Sequence, residues 1–257
     1  IIKEPIWTWE IPCYFFTGGL AGASAGLAYL AEARANPELG RRAWGAAMVS
    51  VAVSPLLLIS DLGRPSRFLN MLRMVKVTSP MSVGTWTLSL AGASTTLAAA
   101  HAWTGAFPRL GRLSRPAAAL LGLPLATYTG ALIANTAVPA WHEARKLLPF
   151  VFGSGAALSA GAAAVLVSPP ESSAPARRLA LAGALLETGL KHTMEQQLGE
   201  LGQPYHEGAA GRFGRMAHGC LASGSALLAA RGRSSRPACA VAGTLLLAGA
   251  LAARWSV

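Results

Sequence analysis

Three ionisable residues recur at every fourth position in one stretch of the chain, namely Glu187, Lys191 and Glu195, and His192 lies beside them. Positions four apart share one face of an α-helix, so these side chains would form a row along one helix. The neighbouring residues are mostly apolar, and ionisable groups inside a membrane helix are costly and usually functional. The row therefore predicts a proton path. The alternative is a ladder of ion pairs that only stabilises the helix.

The composition of the chain indicates a membrane protein. Of its 257 residues 53% are hydrophobic and 13% are charged, whereas soluble domains carry about 25% charged residues. The net charge of +11 comes from cations that interrupt long apolar stretches. This pattern is typical of loops between membrane helices and not of a nucleic-acid-binding face. The apolar content excludes a disordered chain, and three dispersed cysteines exclude a disulfide scaffold.

The charged residues divide the chain into eight apolar stretches. A helix needs about 20 mostly apolar residues to cross the hydrocarbon core of a bilayer. We predict an all-α, polytopic membrane protein with transmembrane helices at residues 11–31, 43–60, 77–100, 116–141, 147–169, 179–198, 211–230 and 237–253. The stretches are rich in alanine and glycine, which let helix backbones approach closely in lipid. Residues 1–257 should therefore form a single compact membrane domain.

An internal repeat predicts how the eight helices are grouped. The sequence Ser-Arg-Pro-Ala at residues 114–117 recurs at residues 235–238, each time at the same place relative to a predicted helix. A second repeated motif, an acidic residue followed by Leu-Gly-x-Pro, supports the same alignment. The repeat predicts two four-helix bundles, over residues 11–141 and 147–253. Each half crosses the membrane an even number of times, so the halves would be related by an axis along the membrane normal.

The charges outside the predicted helices indicate an orientation. With eight helices both termini lie on one side of the membrane, here called side A, and the opposite side is side B. The 22 Lys and Arg residues divide evenly between the sides, whereas most of the 11 acidic residues lie on side A. Side B has short, uniformly basic loops, which are typical of the cytoplasmic side. We therefore predict a prokaryotic inner-membrane protein with its termini on the outer face.

The side-A segment between the second and third predicted helices is the most informative part of the sequence. It begins with a turn around Asp61 and Arg64 and continues through Arg67 and Arg73 in an amphipathic stretch. Such a stretch is expected to lie as a short helix at the membrane surface. We predict that these four charged residues form a docking platform for a partner subunit. The alternative is a capped turn in which Asp61 and Arg64 pair only with each other.

The same segment resembles a known family. Asp-Leu-Gly-Arg-Pro-x-x-Phe at residues 61–68, followed by Ser-Pro-Met-Ser-x-Gly-x-Trp at residues 79–86, is similar to the signature of the NrfD/PsrC membrane subunits. The beginning of the first predicted helix, at residues 7–19, and the region at residues 128–145 resemble the same family. The resemblance is specific over roughly residues 7–165 and is weaker in the second half.

The resemblance implies a function in electron transfer. Members of this family are integral subunits of eight to ten spans without haem. The resemblance implies a ferredoxin-like iron–sulfur partner, usually a molybdopterin-containing catalytic subunit, and bound menaquinone or another quinone near the iron–sulfur face. It thus predicts a membrane anchor that passes electrons between the iron–sulfur subunit and the quinone pool.

The residues themselves agree with a chain that has no redox centre or metal site of its own. Haem in a membrane anchor needs paired axial histidines, and an iron–sulfur cluster needs four ligands. The chain has three dispersed cysteines, and most of its five histidines lie at the ends of predicted helices. We therefore predict neither haem nor an iron–sulfur cluster in the chain, and electrons would pass to a bound, diffusible carrier.

A quinone head group needs a hydrogen-bond donor at each carbonyl, a flat aromatic neighbour and a proton source. The first and fourth predicted helices carry six residues of these types near side A, and all six would reach one pocket if the two helices adjoin. We predict a quinone site formed by Tyr128, His142, Trp141, Asn135, Tyr14 and Trp9. The alternative is that the aromatic residues are anchors at the membrane interface.

Two other functions are compatible with the sequence. A proton-coupled secondary transporter could use two repeated halves and the buried charges of residues 187–195. Transporters often interrupt their helices at mid-membrane, however, whereas Pro116 and Pro237 lie at the starts of predicted helices. A purely structural membrane anchor is the other alternative. A neighbouring gene for an iron–sulfur protein would favour the electron-transfer function over both.

Overall fold

A computed structural model of the chain describes residues 8–257, and this range is helical without strands. Its eight long helices are α1 (Glu10–Ala33), α2 (Pro37–Asp61), α4 (Pro80–Thr104), α5 (Pro108–Ala134), α7 (Leu148–Val167), α8 (Ala174–Leu198), α9 (Gly208–Arg231) and α10 (Arg236–Trp255). Two short helices, α3 (Phe68–Leu72) and α6 (Pro139–Glu143), lie in the connections. Each long helix overlaps one predicted helix, so the all-α prediction is confirmed.

Four of the long helices in this range are long and apolar enough to cross a membrane, namely α2, α5, α7 and α10. The other four are less apolar, because α1 is rich in glycine, α4 in serine and threonine, and α8 and α9 carry ionisable residues. These four are still 24 or 25 residues long, which is sufficient to span a bilayer. Membrane crossing by all eight helices stays a prediction.

Proline and small polar residues determine where several helices begin. Asn36 and Ser79 precede the first prolines of α2 and α4, and their side chains accept hydrogen bonds from backbone amides in the first helical turn. Ser235 caps α10 in the same way. Proline suits the first turn because its missing N–H would have no partner there. The end of α1 at Ala33 agrees with the predicted end at residue 31, whereas α2 begins at Pro37, six residues before the predicted start at residue 43.

The long helices pack in two sets of four that have the same pattern of neighbours. In the first set α1 packs against α2 and α5, and α4 packs against α5 and α2. In the second set α7 packs against α8 and α10, and α9 packs against α10 and α8. The helix α7 also contacts α1 and α5 and is largely buried, so it lies at the centre of the molecule. Because α7 contacts helices of both sets, the grouping into two four-helix bundles stays a prediction.

The repeated Ser-Arg-Pro motif places an arginine at an equivalent position in each set. Arg115 of α5 pairs with Glu32, near the end of α1, at 3.2 Å. Arg236 of α10 donates to the carbonyl oxygens of Val165 and Leu166, near the end of α7, at 3.1 and 2.6 Å. Cations are favoured at helix C-termini, where the helix dipole is negative. Each arginine therefore binds near the C-terminus of another helix, Arg115 at α1 and Arg236 at α7.

The beginning of α5 differs from its predicted position. The helix starts at Pro108, so Pro116 lies inside it and the prediction that Pro116 begins a helix is wrong. Arg109 and Arg112 made the segment resemble a loop, yet both arginines lie in the first turns of the helix. Pro124 also lies inside α5 without ending it. Such prolines are tolerated where neighbouring helices satisfy the freed backbone groups.

The end of α5 also differs from its predicted position. The helix stops before Asn135, and Val138 has an extended backbone because the following Pro139 disfavours the helical conformation there. Trp141 and His142 therefore lie on the separate helix α6. The prediction that these two residues close the fourth transmembrane helix is wrong.

The helices α1 and α5 cross with direct backbone contact at two glycines. A Cβ atom at Gly22 would lie 2.3 Å from the carbonyl oxygen of Gly122, and one at Gly122 would lie 2.4 Å from that of Gly22. Only residues without a side chain permit this approach, which is a common way for helices to associate in lipid. The crossing holds Tyr14 of α1 close to Tyr128 of α5.

We expect Gly22→Ala to lower the free energy of unfolding by about 1–3 kcal/mol, the usual cost of overpacking. The added methyl group must push α1 away from α5. Gly26→Ala on the same helix is the matched control, because a Cβ atom there would meet nothing within 4 Å. Denaturation of the purified variants in detergent measures both changes. Equal stability of the two variants would contradict the close crossing.

Candidate functional site

A large cavity lies near side A within the first set of helices. Its volume is about 590 Å³, and most of its lining is apolar. The cavity follows α2 from Met48 to Asp61 and α4 from Met81 to Thr96, a length of roughly 20 Å at the usual helical rise. Its volume is in the range of small-molecule sites. A cavity of this length can hold a ring with an attached apolar chain.

Two tyrosines from different helices meet at the wall of the cavity. Tyr14 of α1 is buried, Tyr128 of α5 is half-buried, and their hydroxyl groups form a hydrogen bond. A Cβ atom at Gly84 of α4 would lie 2.4 Å from the Tyr128 ring, so this glycine makes room for it. One hydroxyl donates to the other, and the acceptor keeps its own hydrogen. The pair therefore retains one O–H donor for a ligand.

Polar groups also line the side-A end of the cavity. Asn135, at the end of α5, and Asp61, at the end of α2, are both part of its lining. Asp61 is exposed and accepts a hydrogen bond of 2.7 Å from Thr8. Its carboxylate can therefore exchange protons with water while it faces the cavity. The sequence pattern predicts Asp61 only as part of the docking platform, whereas in the structure Asp61 also lines the cavity and accepts a hydrogen bond from Thr8, which precedes α1.

Of the six residues predicted for the quinone site, three line the cavity and three do not. The residues that line it are Tyr14, Tyr128 and Asn135. Trp9 is 57% exposed at the beginning of α1 and does not line the cavity. On α6, His142 is exposed, and Trp141 donates to the carbonyl oxygen of Val257 at 3.2 Å. Because α5 ends at Ala134 and α6 is a separate helix, Trp141 and His142 do not line the cavity.

The predicted docking residues lie on the connection between α2 and α4. Arg64, Arg67 and Arg73 are exposed there. Within residues 8–257 no acidic side chain comes within 4.0 Å of these guanidinium groups. Asp61 and Arg64 therefore do not form the ion pair of the alternative, a capped turn. Asp61 instead accepts a hydrogen bond from Thr8. The opposite face of the connection, including α3, lines the cavity.

A second group of polar side chains is buried between α7, α8 and α10. The carboxylate of Glu187 lies 3.3 Å from the guanidinium of Arg254, and both side chains are at most 3% exposed. The guanidinium lies over the Phe152 ring at 4.4 Å from its centre. A Cβ atom at Gly155 would lie 1.9 Å from Arg254 Nη2, so this glycine provides the space for the ion pair.

The predicted row of ionisable residues continues from this pair towards side A. Lys191 donates to the Ser256 hydroxyl at 2.8 Å and lies 4.0 Å from Glu195, which is 3.9 Å from His206. Side-chain exposure rises from 2% at Glu187 through 9% and 17% to 66% at His206. The row therefore connects the middle of α8 with the side-A surface.

Tyr205 lies at the side-A end of this row, in the 3₁₀ helix Gly199–Tyr205. Burial raises the pKa of Tyr205, and the charge of Glu195 raises that pKa further, whereas the nearby Trp141 side chain lowers it. Burial dominates, so the phenol stays protonated and neutral at physiological pH.

Two residues lie elsewhere relative to this row than the sequence pattern predicts. His192 is exposed, and its ring accepts a hydrogen bond of 3.0 Å from Gln196 instead of joining the row. Arg254 follows the last predicted helix, and this position predicts a charge on the side-A surface; in the structure it is instead the buried partner of Glu187. Two signals pointed to it: Arg254 directly follows an apolar stretch of membrane length, and a buried carboxylate requires a counter-charge.

The two polar groups are neighbours through an aromatic contact. Phe15, which follows Tyr14 on α1, packs edge-on against Phe152 at 5.7 Å between ring centres. Phe152 in turn lies beneath Arg254. Among residues 8–257, no three His, Cys, Asp or Glu side chains come together as metal ligands. The tyrosine pair and the buried ion pair are thus connected through the Phe15–Phe152 contact.

A known protein family matches the whole chain. The family NrfD, described as polysulfide reductase, matches residues 1–257. This match includes the second half of the chain, where the motif resemblance was weak. No curated protein matches the chain.

Proposed function

The chain belongs to the NrfD polysulfide reductase family, and we propose that it is the quinone-reactive membrane subunit of a multi-subunit oxidoreductase. Family membership and the apolar helices identify an integral membrane protein and a subunit of a quinone-linked oxidoreductase. In the proposal, electrons pass between an iron–sulfur subunit on side A and menaquinone or another quinone in the cavity. A molybdopterin-containing catalytic subunit would complete the complex.

The observation that carries this proposal is the pair of tyrosine hydroxyls in the wall of a long apolar cavity. The spare O–H of the Tyr14–Tyr128 pair can donate to one quinone carbonyl, and the Asn135 side chain near side A can donate to the other. The apolar lining along α2 and α4 suits a polyprenyl chain. The residues present therefore fit a quinone, which supplies two-electron redox chemistry when it is bound.

Proton exchange at this site would involve Asp61. Reduction of a quinone to a quinol takes up two electrons and two protons, and quinol oxidation releases them. Asp61 contacts both water and the cavity, so its carboxylate can take a proton from side A and pass it inward. The Tyr14–Tyr128 pair can relay a proton between its two hydroxyls. These groups would act at the two ends of the quinone head.

The docking proposal rests on the same segment of the chain. Arg64, Arg67 and Arg73 present three cations on side A without acidic partners in the described part of the chain. An acidic face of an iron–sulfur subunit would complement them. Because the other face of this connection lines the cavity, a docked cluster would be close to the quinone. The basic loops of side B would then face the cytoplasm.

Quinone binding by the full chain tests the proposal. We expect the purified chain to retain quinone, which solvent extraction and chromatography would identify. Gly84→Ala should weaken retention about tenfold, because the new Cβ atom would displace the Tyr128 ring. Gly189→Ala is the matched control, since a Cβ atom there would meet nothing within 4 Å. Absence of quinone, or equal loss in both variants, would contradict the proposal.

We also propose that the row from Glu187 to His206 carries protons between the buried part of α8 and side A. The graded exposure of its side chains supports this function. We expect Glu187→Gln to reduce proton movement in vesicles during quinone turnover, as measured with a pH-sensitive dye. Glu143→Gln, which changes an exposed carboxylate, should leave it unchanged. If proton movement in Glu187→Gln equals that of the wild type, the row carries no protons and is a ladder of ion pairs that stabilises the helix.

No observation favours the transporter alternative. A transporter of the repeated type would use interrupted helices at matching positions of its two halves. Among the described residues each of the eight long helices is continuous, including α2 and α5, which contain Pro55, Pro116 and Pro124. The cavity also occurs in one half of the molecule and not at the interface of the halves.

A further inference from the structure

The helix α4 separates two apolar hollows. Its inner face, with Thr85, Leu88 and Ser89, lines the 590 Å³ cavity. Its outer face, with Val83 and Leu90, lines a groove of about 220 Å³ on the surface of the molecule. The two hollows are thus on opposite sides of one helix, and the outer groove has no part in the proposed function.

The outer groove is apolar over most of its length and has a cation at one end. Val83, Trp86 and Leu90 of α4 and Leu121 of α5 form its apolar part. Lys76 lies at its side-A end, and it is the one charged residue among the described residues that line the groove. Leu121 is at the middle of α5. The groove therefore runs from the side-A surface into the depth of the proposed membrane span.

The wall of the groove is fixed by hydrogen bonds between the connection and α4. The carbonyl oxygen of Met74 accepts from Trp86 Nε1 at 3.1 Å and from the Ser82 hydroxyl at 3.0 Å. The backbone amide of Lys76 donates to the same hydroxyl at 3.0 Å. These three bonds hold the backbone of Lys76 against the beginning of α4. The groove is thus formed before any ligand binds.

We propose that this groove binds an anionic phospholipid, with one acyl chain along the apolar part and the phosphate at Lys76. No acidic side chain of residues 8–257 lies within 4.0 Å of Lys76, so its charge has no partner in this range. Anionic head groups are attracted to such cations at the membrane surface. An apolar groove with a single cation at its surface end is complementary to a phospholipid, which has an anionic head group and an apolar chain.

The lipid selectivity of the purified full chain tests this site. Native mass spectrometry would compare retained phosphatidylglycerol with retained phosphatidylcholine. We expect the chain to prefer phosphatidylglycerol and Lys76→Gln to reduce that preference about fivefold, the effect of losing one cation near anionic lipid. Lys146→Gln, which removes another exposed side-A cation, is the matched control and should leave the preference unchanged. Equal effects of the two substitutions would overturn the proposal.

A second variant tests the apolar part of the groove independently of charge. Val83 is 41% exposed, so Val83→Trp should fill the groove without disturbing the core, and it should reduce retention of both lipids several-fold. Leu90→Trp serves the same purpose if the first variant does not fold. Unchanged retention in the folded variant would overturn the proposal. Displacement of the lipid by millimolar inorganic phosphate would also overturn it, because the ligand would then be a free anion.

Discussion

Replacing Tyr128 with phenylalanine is expected to lower quinone-dependent turnover of the assembled complex by about 10²-fold or more, the usual contribution of a positioned proton donor or acceptor. The substitution keeps the ring that packs against Gly84 and removes only the hydroxyl. Tyr14 then loses its hydrogen-bond partner, so its remaining O–H is no longer held in position by a second hydroxyl and no longer exchanges a proton with one. Quinol oxidation with a soluble electron acceptor, measured on the purified complex, gives the turnover rate directly.

Tyr14→Phe should have a similar effect, because the two hydroxyls act as one hydrogen-bonded unit. The double variant should therefore be little slower than either single variant, as expected for residues that share one function. Tyr29→Phe is the matched control: it lies on the same helix, α1, but is 36% exposed and outside the cavity. Unchanged turnover in both Tyr14→Phe and Tyr128→Phe would show that the cavity is not the quinone site.

His142→Ala distinguishes the observed cavity from the pocket that the sequence predicts. The sequence pattern places His142 beside Tyr128, and a quinone site there would lose most of its activity in this variant. Because His142 is exposed on α6 and does not line the cavity, we expect its turnover to remain within about twofold of the wild type, well below the effect of a proton donor. A loss comparable to that of Tyr128→Phe would favour the predicted pocket.

Replacing Arg254 with leucine is expected to lower the free energy of unfolding by about 3–5 kcal/mol, the usual cost of leaving one member of a buried ion pair without its partner. Glu187 would keep its carboxylate in a buried position without the guanidinium that now lies 3.3 Å away. Denaturation of the purified chain in mixed micelles, followed by circular dichroism, measures the change.

The double variant Glu187→Leu with Arg254→Leu should recover most of this loss, because two apolar side chains can replace a buried ion pair. Arg215→Leu, which removes an exposed arginine from α9, is the control for the loss of a cation and should change stability little. If the double variant is as unstable as Arg254→Leu alone, the effect comes from packing on Phe152 and not from the unpaired carboxylate.

The positions of most helices could be predicted because apolar stretches of membrane length are interrupted by charges. The predicted boundary is wrong where a helix continues beyond its apolar stretch into charged residues. Arg109 and Arg112 lie in the first turns of α5, and their charge made those turns resemble a loop. At the other end, Asn135 and Pro139 together end the helix. The break does not interrupt the apolar stretch, so the pattern of apolar residues alone does not predict it.

The site could be predicted only in part, because the sequence specifies residues on each helix but not which helices adjoin. Tyr14 and Tyr128 lie 114 positions apart, and the Gly22–Gly122 crossing brings them together. Arg254 illustrates the limit: its pairing with Glu187 depends on how α8 and α10 pack around Gly155. A count of charges per loop treats such a residue as part of the surface.

The helix α1 presents neighbouring residues to two different sites: Tyr14 bonds Tyr128 in the cavity, whereas Phe15 packs on Phe152 beneath Arg254. This arrangement has an evolutionary consequence. A substitution that shifts α1 to suit one site disturbs the other, so changes at positions 15 and 152 should be accepted together or not at all. Among relatives of the chain, these two positions should therefore covary more strongly than either does with the exposed residues of α1.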